Sequence, residues 1–116
     1  MSEAYDLYQE GRSRLRRGMS AQATVPLERA KRLEPDKASI REALGIAYFR
    51  IQRFAEAEAE FRALLELSPT DDYGHYALGR SLERQGRAAE ARTHYRLAHS
   101  LDPASRRYAR HASSDP

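Results

Sequence analysis

No cysteine occurs among the 116 residues, which excludes disulfides, a thiolate nucleophile and any cysteine-ligated metal, and suits a reducing cytoplasm. Long apolar runs are missing too. No window approaches the ~18 apolar residues a membrane span needs. The opening MSEAYDLYQEGRSRLRRG turns from acidic to basic without the apolar centre of a secretion signal. A cytoplasmic chain without a transmembrane helix is expected. Glycine and proline are few, six and five, beside 41% hydrophobic and 32% charged residues, a balance that belongs to globular rather than disordered chains. The glycines stand singly, so nothing resembles a phosphate-cradling loop. Lysine is nearly absent: eighteen of the twenty basic residues are arginine, Lys31 and Lys37 being the exceptions, and the net charge is only +3. So mild an excess does not by itself mark a nucleic-acid binder, whose charge gathers on one face.

The chemistry of sites is thin as well. His75, His94, His99 and His111 have no partner three or four residues away that would share a helix face. No cysteine or carboxylate cluster completes a ligand set, so neither a metal nor a cofactor is expected. The serines fall at helix starts and in the tail, without a neighbouring base to activate them, and the chain is not expected to be an enzyme.

What the sequence does have is a period. Prolines at 35, 69 and 103 step by 34 residues, as do glycines at 11, 45 and 79, alanines at 23, 57 and 91, and leucines at 33, 67 and 101. Aligning 38–71 with 72–105 gives 11 identities, and aligning 4–37 with 38–71 gives seven. Within each unit apolar residues recur at three and four: Leu44, Ala47, Tyr48 and Ile51, then Phe54, Ala57, Phe61, Leu64 and Leu65. This is helical spacing, twice per unit. Gly18, Gln52 and Gly86 fall where a left-handed residue would end each first helix. Ser20, Asp36 and Thr70 or Asp71 read as caps for the helices that follow, and Pro35, Pro69 and Pro103 as stops. Pro26 breaks the pattern inside the second helix of the first unit, predicting a kink there or a start later than Ser20. A helical glycine costs roughly 1 kcal/mol relative to alanine, so Gly45 implies close approach to the facing helix near Ala57, with Phe61 and Tyr48 filling the flanks.

Leu44, Gly45, Tyr48, Ala57, Phe61 and Pro69, repeated as Leu78, Gly79, Leu82, Ala91, Tyr95 and Pro103, resemble the tetratricopeptide repeat, a 34-residue helix-turn-helix unit. Arg41 and His75 stand where its tryptophan would be. The first unit, with Leu7, Glu10, Gly11, Arg14, Ala23, Leu27 and Pro35, is degenerate. The resemblance implies an all-α fold, a right-handed α-solenoid of three helix-turn-helix hairpins plus a short C-terminal helix. It forms one domain over 1–112, with repeats at 4–37, 38–71 and 72–105, a capping helix at 104–112 and a flexible tail at 113–116.

It further implies a protein-protein interaction module in which the first helix of every hairpin lines a concave groove. The expected partner-binding residues are Tyr5, Tyr8, Arg12, Arg16, Phe49, Arg50, Tyr73, Tyr76, Arg80 and Arg84. Glu42 and Glu83 are the acids among the groove positions. Arginine and aromatic residues are the types enriched at interface hot spots, and guanidinium forks suit carboxylates. The expected ligand is therefore an acidic peptide or protein segment with an apolar or aromatic anchor. A subclass of the family grips chaperone C-terminal carboxylates through lysines, asparagines and an arginine. The matching places here are Tyr8, Arg12, Ala43, Tyr73 and Ala77, where only Arg12 carries charge, so that mode is not expected. Single-stranded nucleic acid held by the arginines and tyrosines is one alternative. Self-association as a homodimer through the C-terminal hairpin around Leu97 and Leu101 is another. The run Glu56 to Glu60 with Arg53 and Arg62 reads as a solvated face.

Overall fold

A computed structural model describes residues 2–113. Among them run seven helices: α1 (Glu3–Arg16), α2 (Ser20–Leu33), α3 (Ala38–Arg50), α4 (Phe54–Leu67), α5 (Asp72–Glu83), α6 (Ala88–Leu101) and α7 (Arg106–Ala112). Helices α1 and α2, α3 and α4, and α5 and α6 pair as hairpins, each hairpin packs on the next, and α7 packs on α6. The first helices also meet directly, α1 with α3 and α3 with α5. Stacking draws the molecule out to 46 × 24 × 21 Å and sets α1, α3 and α5 side by side. Of the expected tail, residues 114–116 lie outside the described residues, and Ser113 ends α7.

Each hairpin turns by one device. Gly18, Gln52 and Gly86 take φ of 74°, 65° and 81°. The next residue's amide reaches back five positions, Met19 to Arg14 O at 2.8 Å, Arg53 to Tyr48 O at 2.9 Å and Arg87 to Leu82 O at 3.0 Å. This is the Schellman closure, which satisfies carbonyls that a helix end leaves orphaned. Gln52 adopts a conformation that glycine takes without strain.

The cap expectations hold only in part. Asp71 accepts from the Gly74 amide at 2.8 Å. Ser20, however, is the first residue of α2 rather than its cap, and Lys37, not Asp36, stands at the cap of α3 without a side-chain bond. In α2, α4 and α6 the cap residue is Met19, Arg53 or Arg87, each already fixed by the Schellman turn, so the turn rather than a side chain starts the helix.

Proline 26 does not delay α2, which runs unbroken from Ser20 to Leu33. The amide that proline lacks would have bonded the Gln22 carbonyl one turn earlier. The Arg14 guanidinium donates to that carbonyl instead, at 2.9 Å.

The core glycines answer to side chains. A Cβ on Gly45 would lie 2.6 Å from Phe61 Cε1, on Gly11 2.4 Å from Leu27 Cγ, and on Gly79 2.6 Å from Tyr95 Cε1. The space at Gly45 is therefore taken by the Phe61 ring rather than by the facing backbone at Ala57. Phe61, Leu27 and Tyr95 are buried.

Position 60 overturns the solvated-face reading. Glu60 is 5% exposed, its carboxylate held by Lys31 Nζ at 2.9 Å and Arg41 Nη1 at 3.0 Å. One repeat later the corresponding pair is His75 and His94, whose Nδ1 atoms meet at 3.1 Å. His75 Nε2 donates to the Pro69 carbonyl at 2.9 Å, as Arg41 Nε does to Pro35 O at the same distance. That leaves His75 Nδ1 to accept from His94 Nδ1–H. Reading along the chain missed this pair because its members lie on different helices. No cluster of three metal-ligating side chains exists among the described residues.

Valine at Gly45 or Gly79 should lower stability by about 1–3 kcal/mol through overpacking, read by denaturant unfolding. Gln52→Gly should raise it by about 1 kcal/mol by relieving the left-handed backbone; an unchanged midpoint counts against that strain. Burial, then His75 and Arg62, hold His94 below its ordinary value of 6.5, with Glu90 opposing. The unfolded chain therefore takes up a proton that the folded one resists, so this contribution is intact above the unfolded pKa and fades as pH falls through it. Between about pH 7 and 5.5, Tm should fall more for the natural chain than for His94→Gln; equal losses would refute the assignment.

Candidate functional site

Two adjoining cavities run along the face made by α1, α3 and α5, sharing Ile46 and Arg50. The first, about 140 Å³ between α3 and α5, has an apolar wall of Ile46, Phe49, Phe61 and Ala77, with Tyr73, Tyr76, Arg50 and Arg80 completing it. The second, about 490 Å³ between α1 and α3, is bounded by Tyr8, Arg12, Leu15, Arg16, Glu42 and Ala43. The three first helices lie side by side in the stack, which brings side chains from all three to this face.

Eight of the ten expected residues line these two cavities: Tyr8, Arg12, Arg16, Phe49, Arg50, Tyr73, Tyr76 and Arg80. Tyr5, 46% exposed, lies just beyond, in a separate depression it shares with Tyr8, Ser39 and Ile40. Arg84 lines neither of these two cavities and instead covers the Phe54 ring at 4.7 Å. Tyr76 is a wall rather than a projecting side chain, 8% exposed, with Tyr95 and Tyr108 at ring-centroid distances of 6.0 and 5.3 Å. Ala43 and Ala77, absent from the expected binding set, contribute small apolar floor. Their shared place in two repeats was the available signal. The five places matching the chaperone-tail clamp all fall on the cavity walls, so the positions are in place while their polar chemistry is not.

Aromatic rings hold the guanidinium groups in position. Arg12 donates to the Tyr8 hydroxyl at 3.0 Å and lies 5.7 Å from that ring's centroid. Arg80 donates to Tyr76 Oη at 3.3 Å and stands 5.7 Å over Phe49. Arg50 Nη1 reaches the Leu15 carbonyl at 3.2 Å, tying α3 to the end of α1. The hydrogen bond to Tyr8 raises the Arg12 pKa. Burial works against charge on Arg80, but its bond to Tyr76 and nearby groups more than offset it, and its pKa is also raised. Arg80 Nε is buried and has no hydrogen-bond partner among the described residues. Glu42, the one acid on the two cavity walls, has its pKa raised by burial and by Asp71, with Arg12 opposing.

The sequence profile of the tetratricopeptide repeat matches residues 8–72, and a second profile of the same repeat matches 72–105. No curated protein sequence matches the chain. Among solved structures, the first TPR of Spaghetti (RPAP3) bound to the HSP90 peptide SRMEEVD superposes with a TM-score of 0.90 at 19% identity, covering 95% of this chain and 87% of that one. MamA gives 0.91 at 21% identity, covering 94% of this chain and 64% of its own. The TPR domain of Arabidopsis OM64 gives 0.90 at 16% identity, covering 94% and 90%. These likenesses show the fold. With three units in one register, two profile matches that together span residues 8–105, and three hairpins stacked in order, the chain belongs to the tetratricopeptide repeat family.

Proposed function

We propose that the groove binds an acidic segment of a protein partner, seating an apolar or aromatic side chain in the cavity between α3 and α5 and receiving carboxylates on Arg12, Arg50 and Arg80. The observation that carries this reading is the Arg80 guanidinium set beside an apolar wall. On the two cavity walls four arginines face a single carboxylate, Glu42, which favours anions. Structures similar to this one include TPR domains of RPAP3 bound to the HSP90 peptide SRMEEVD and the HSP70 peptide SGPTIEEVD. The alanines at 43 and 77 separate this groove from a polar tail clamp and favour an internal acidic segment.

Base stacking is a poorer use of these rings. Phe49 and Phe54 are already covered by Arg80 and Arg84, and Tyr76 is buried, so few aromatic faces stay open for nucleobases.

Fluorescence anisotropy with a labelled peptide carrying glutamates around one phenylalanine, beside its glutamine counterpart, tests the reading. Arg80→Glu should weaken binding of the acidic probe by tenfold or more, about 1.4 kcal/mol, with helicity by circular dichroism unchanged. Arg84→Glu, outside the cavities, should weaken it less. Equal affinity for both probes, or for the natural chain and Arg80→Glu, would refute the groove. Preferential binding of a labelled oligonucleotide that collapses with salt would favour nucleic acid instead.

A further inference from the structure

The 34-residue period does not stop at the third hairpin. Ser105 lies one period after Asp71, and the two do the same work: Asp71 accepts from the Gly74 amide at 2.8 Å, and Ser105 from the Tyr108 amide at 3.3 Å. Helix α7 therefore begins in the register of α5, as the first helix of a fourth unit, and Arg107 occupies the place that Tyr73 holds one repeat earlier.

That place faces the groove. The Arg107 guanidinium stands 5.4 Å over the Tyr76 ring, and Tyr76 is a wall of the first cavity. Burial, then Glu42, raises the Tyr73 pKa, with Arg107 and Arg50 opposing. Arg50 lines that cavity from α3, and Arg107 covers its Tyr76 wall from α7. Arg107 is exposed and pairs with no carboxylate among the described residues. The helix is held independently of it: Tyr108 is 6% exposed and donates to Asp72 Oδ2 at 2.9 Å.

We infer that α7 is the last wall of the binding groove and that Arg107 receives a ligand carboxylate on the side of the apolar anchor opposite Arg50 and Arg12. The segment recognised therefore reads acidic, apolar, acidic rather than carrying charge on one side only. This rests on the groove reading above and adds to it the fourth helix and the two-sided charge pattern.

The test uses the full chain and acetylated, amidated peptides with glutamates on both sides of a phenylalanine, only before it, or only after it, glutamine filling the rest. Arg107→Gln should weaken the two-sided probe by ~5-fold, the scale of a partly exposed charge pair, while leaving one of the one-sided probes bound as by the natural chain. Arg107→Lys should keep most of the affinity, and Arg106→Gln, on the same helix in the register of Asp72, should change nothing. Equal binding by Arg107→Gln and Arg106→Gln, with Arg80→Glu still impaired, overturns the role of α7 and leaves the groove standing. A natural chain that binds none of the acidic probes overturns both. Loss of all three probes together with a lowered Tm in Arg107→Gln would make Arg107 a structural residue and also overturn the proposal.

Discussion

A bare glycine under a large side chain is the contact on which the rest of this molecule depends. Gly11 lies under Leu27, Gly45 under Phe61 and Gly79 under Tyr95, each leaving too little room for a Cβ. Helical glycine is unfavourable by roughly 1 kcal/mol relative to alanine, but burying a leucine or aromatic side chain returns about 1.5–3 kcal/mol, so the exchange favours the hairpin. The depth at which the ring seats sets how closely the two helices approach. That in turn sets the surface each hairpin offers to the next. Because the device recurs every 34 residues, the first helices fall side by side and their inward positions form one continuous face.

Between units the same register position holds three chemistries: Leu7 and Pro26, then Arg41 and Glu60, then His75 and His94. The buried ion pair is tolerable only because Glu60 has two cations, Lys31 and Arg41, at hydrogen-bonding distance. A lone buried carboxylate would lose several kcal/mol of hydration without return. The histidine pair achieves similar geometry with one ring nitrogen donating to the other. One architecture thus absorbs apolar, ionic and neutral polar pairs, provided each keeps its polar atoms matched. The seams can then drift in sequence while the glycine contacts hold.

Much of this was legible in the sequence, and for a definable reason. Residues that answer to backbone geometry, such as Gly45 or the left-handed Gln52, have few substitutes, so their spacing announces the fold. The three hairpins and their turns, at Gly18, Gln52 and Gly86, follow from that spacing alone. Residues that answer to a partner elsewhere in the chain give no local sign. Glu60 sits in a run of glutamates and looks solvated, yet its fate is set by Lys31, 29 residues away. Pro26 looks like a break until Arg14 supplies the missing donor. His75 and His94 are 19 apart in sequence and adjacent in space. Its repeat position puts Tyr76 on the groove, and it lines the first cavity. Its burial could not be foreseen, because the cover comes from α7.

Aromatic support under the arginines has a consequence for recognition. A free arginine loses up to about 2 kcal/mol of rotamer entropy when fixed by a ligand, which erodes the gain from any carboxylate it meets. Here Arg12 is tethered to Tyr8, Arg80 lies between Phe49 and Tyr76, and Arg50 is anchored on the Leu15 carbonyl. Part of that entropy is already surrendered in folding. The scarcity of lysine then has a physical reading: an ammonium on a flexible stem neither stacks on a ring as a plane nor offers a fork. Replacing these arginines by lysine would keep the charge of the face and lose its arrangement. Arrangement, more than the small net charge of +3, is what would separate one acidic segment from another.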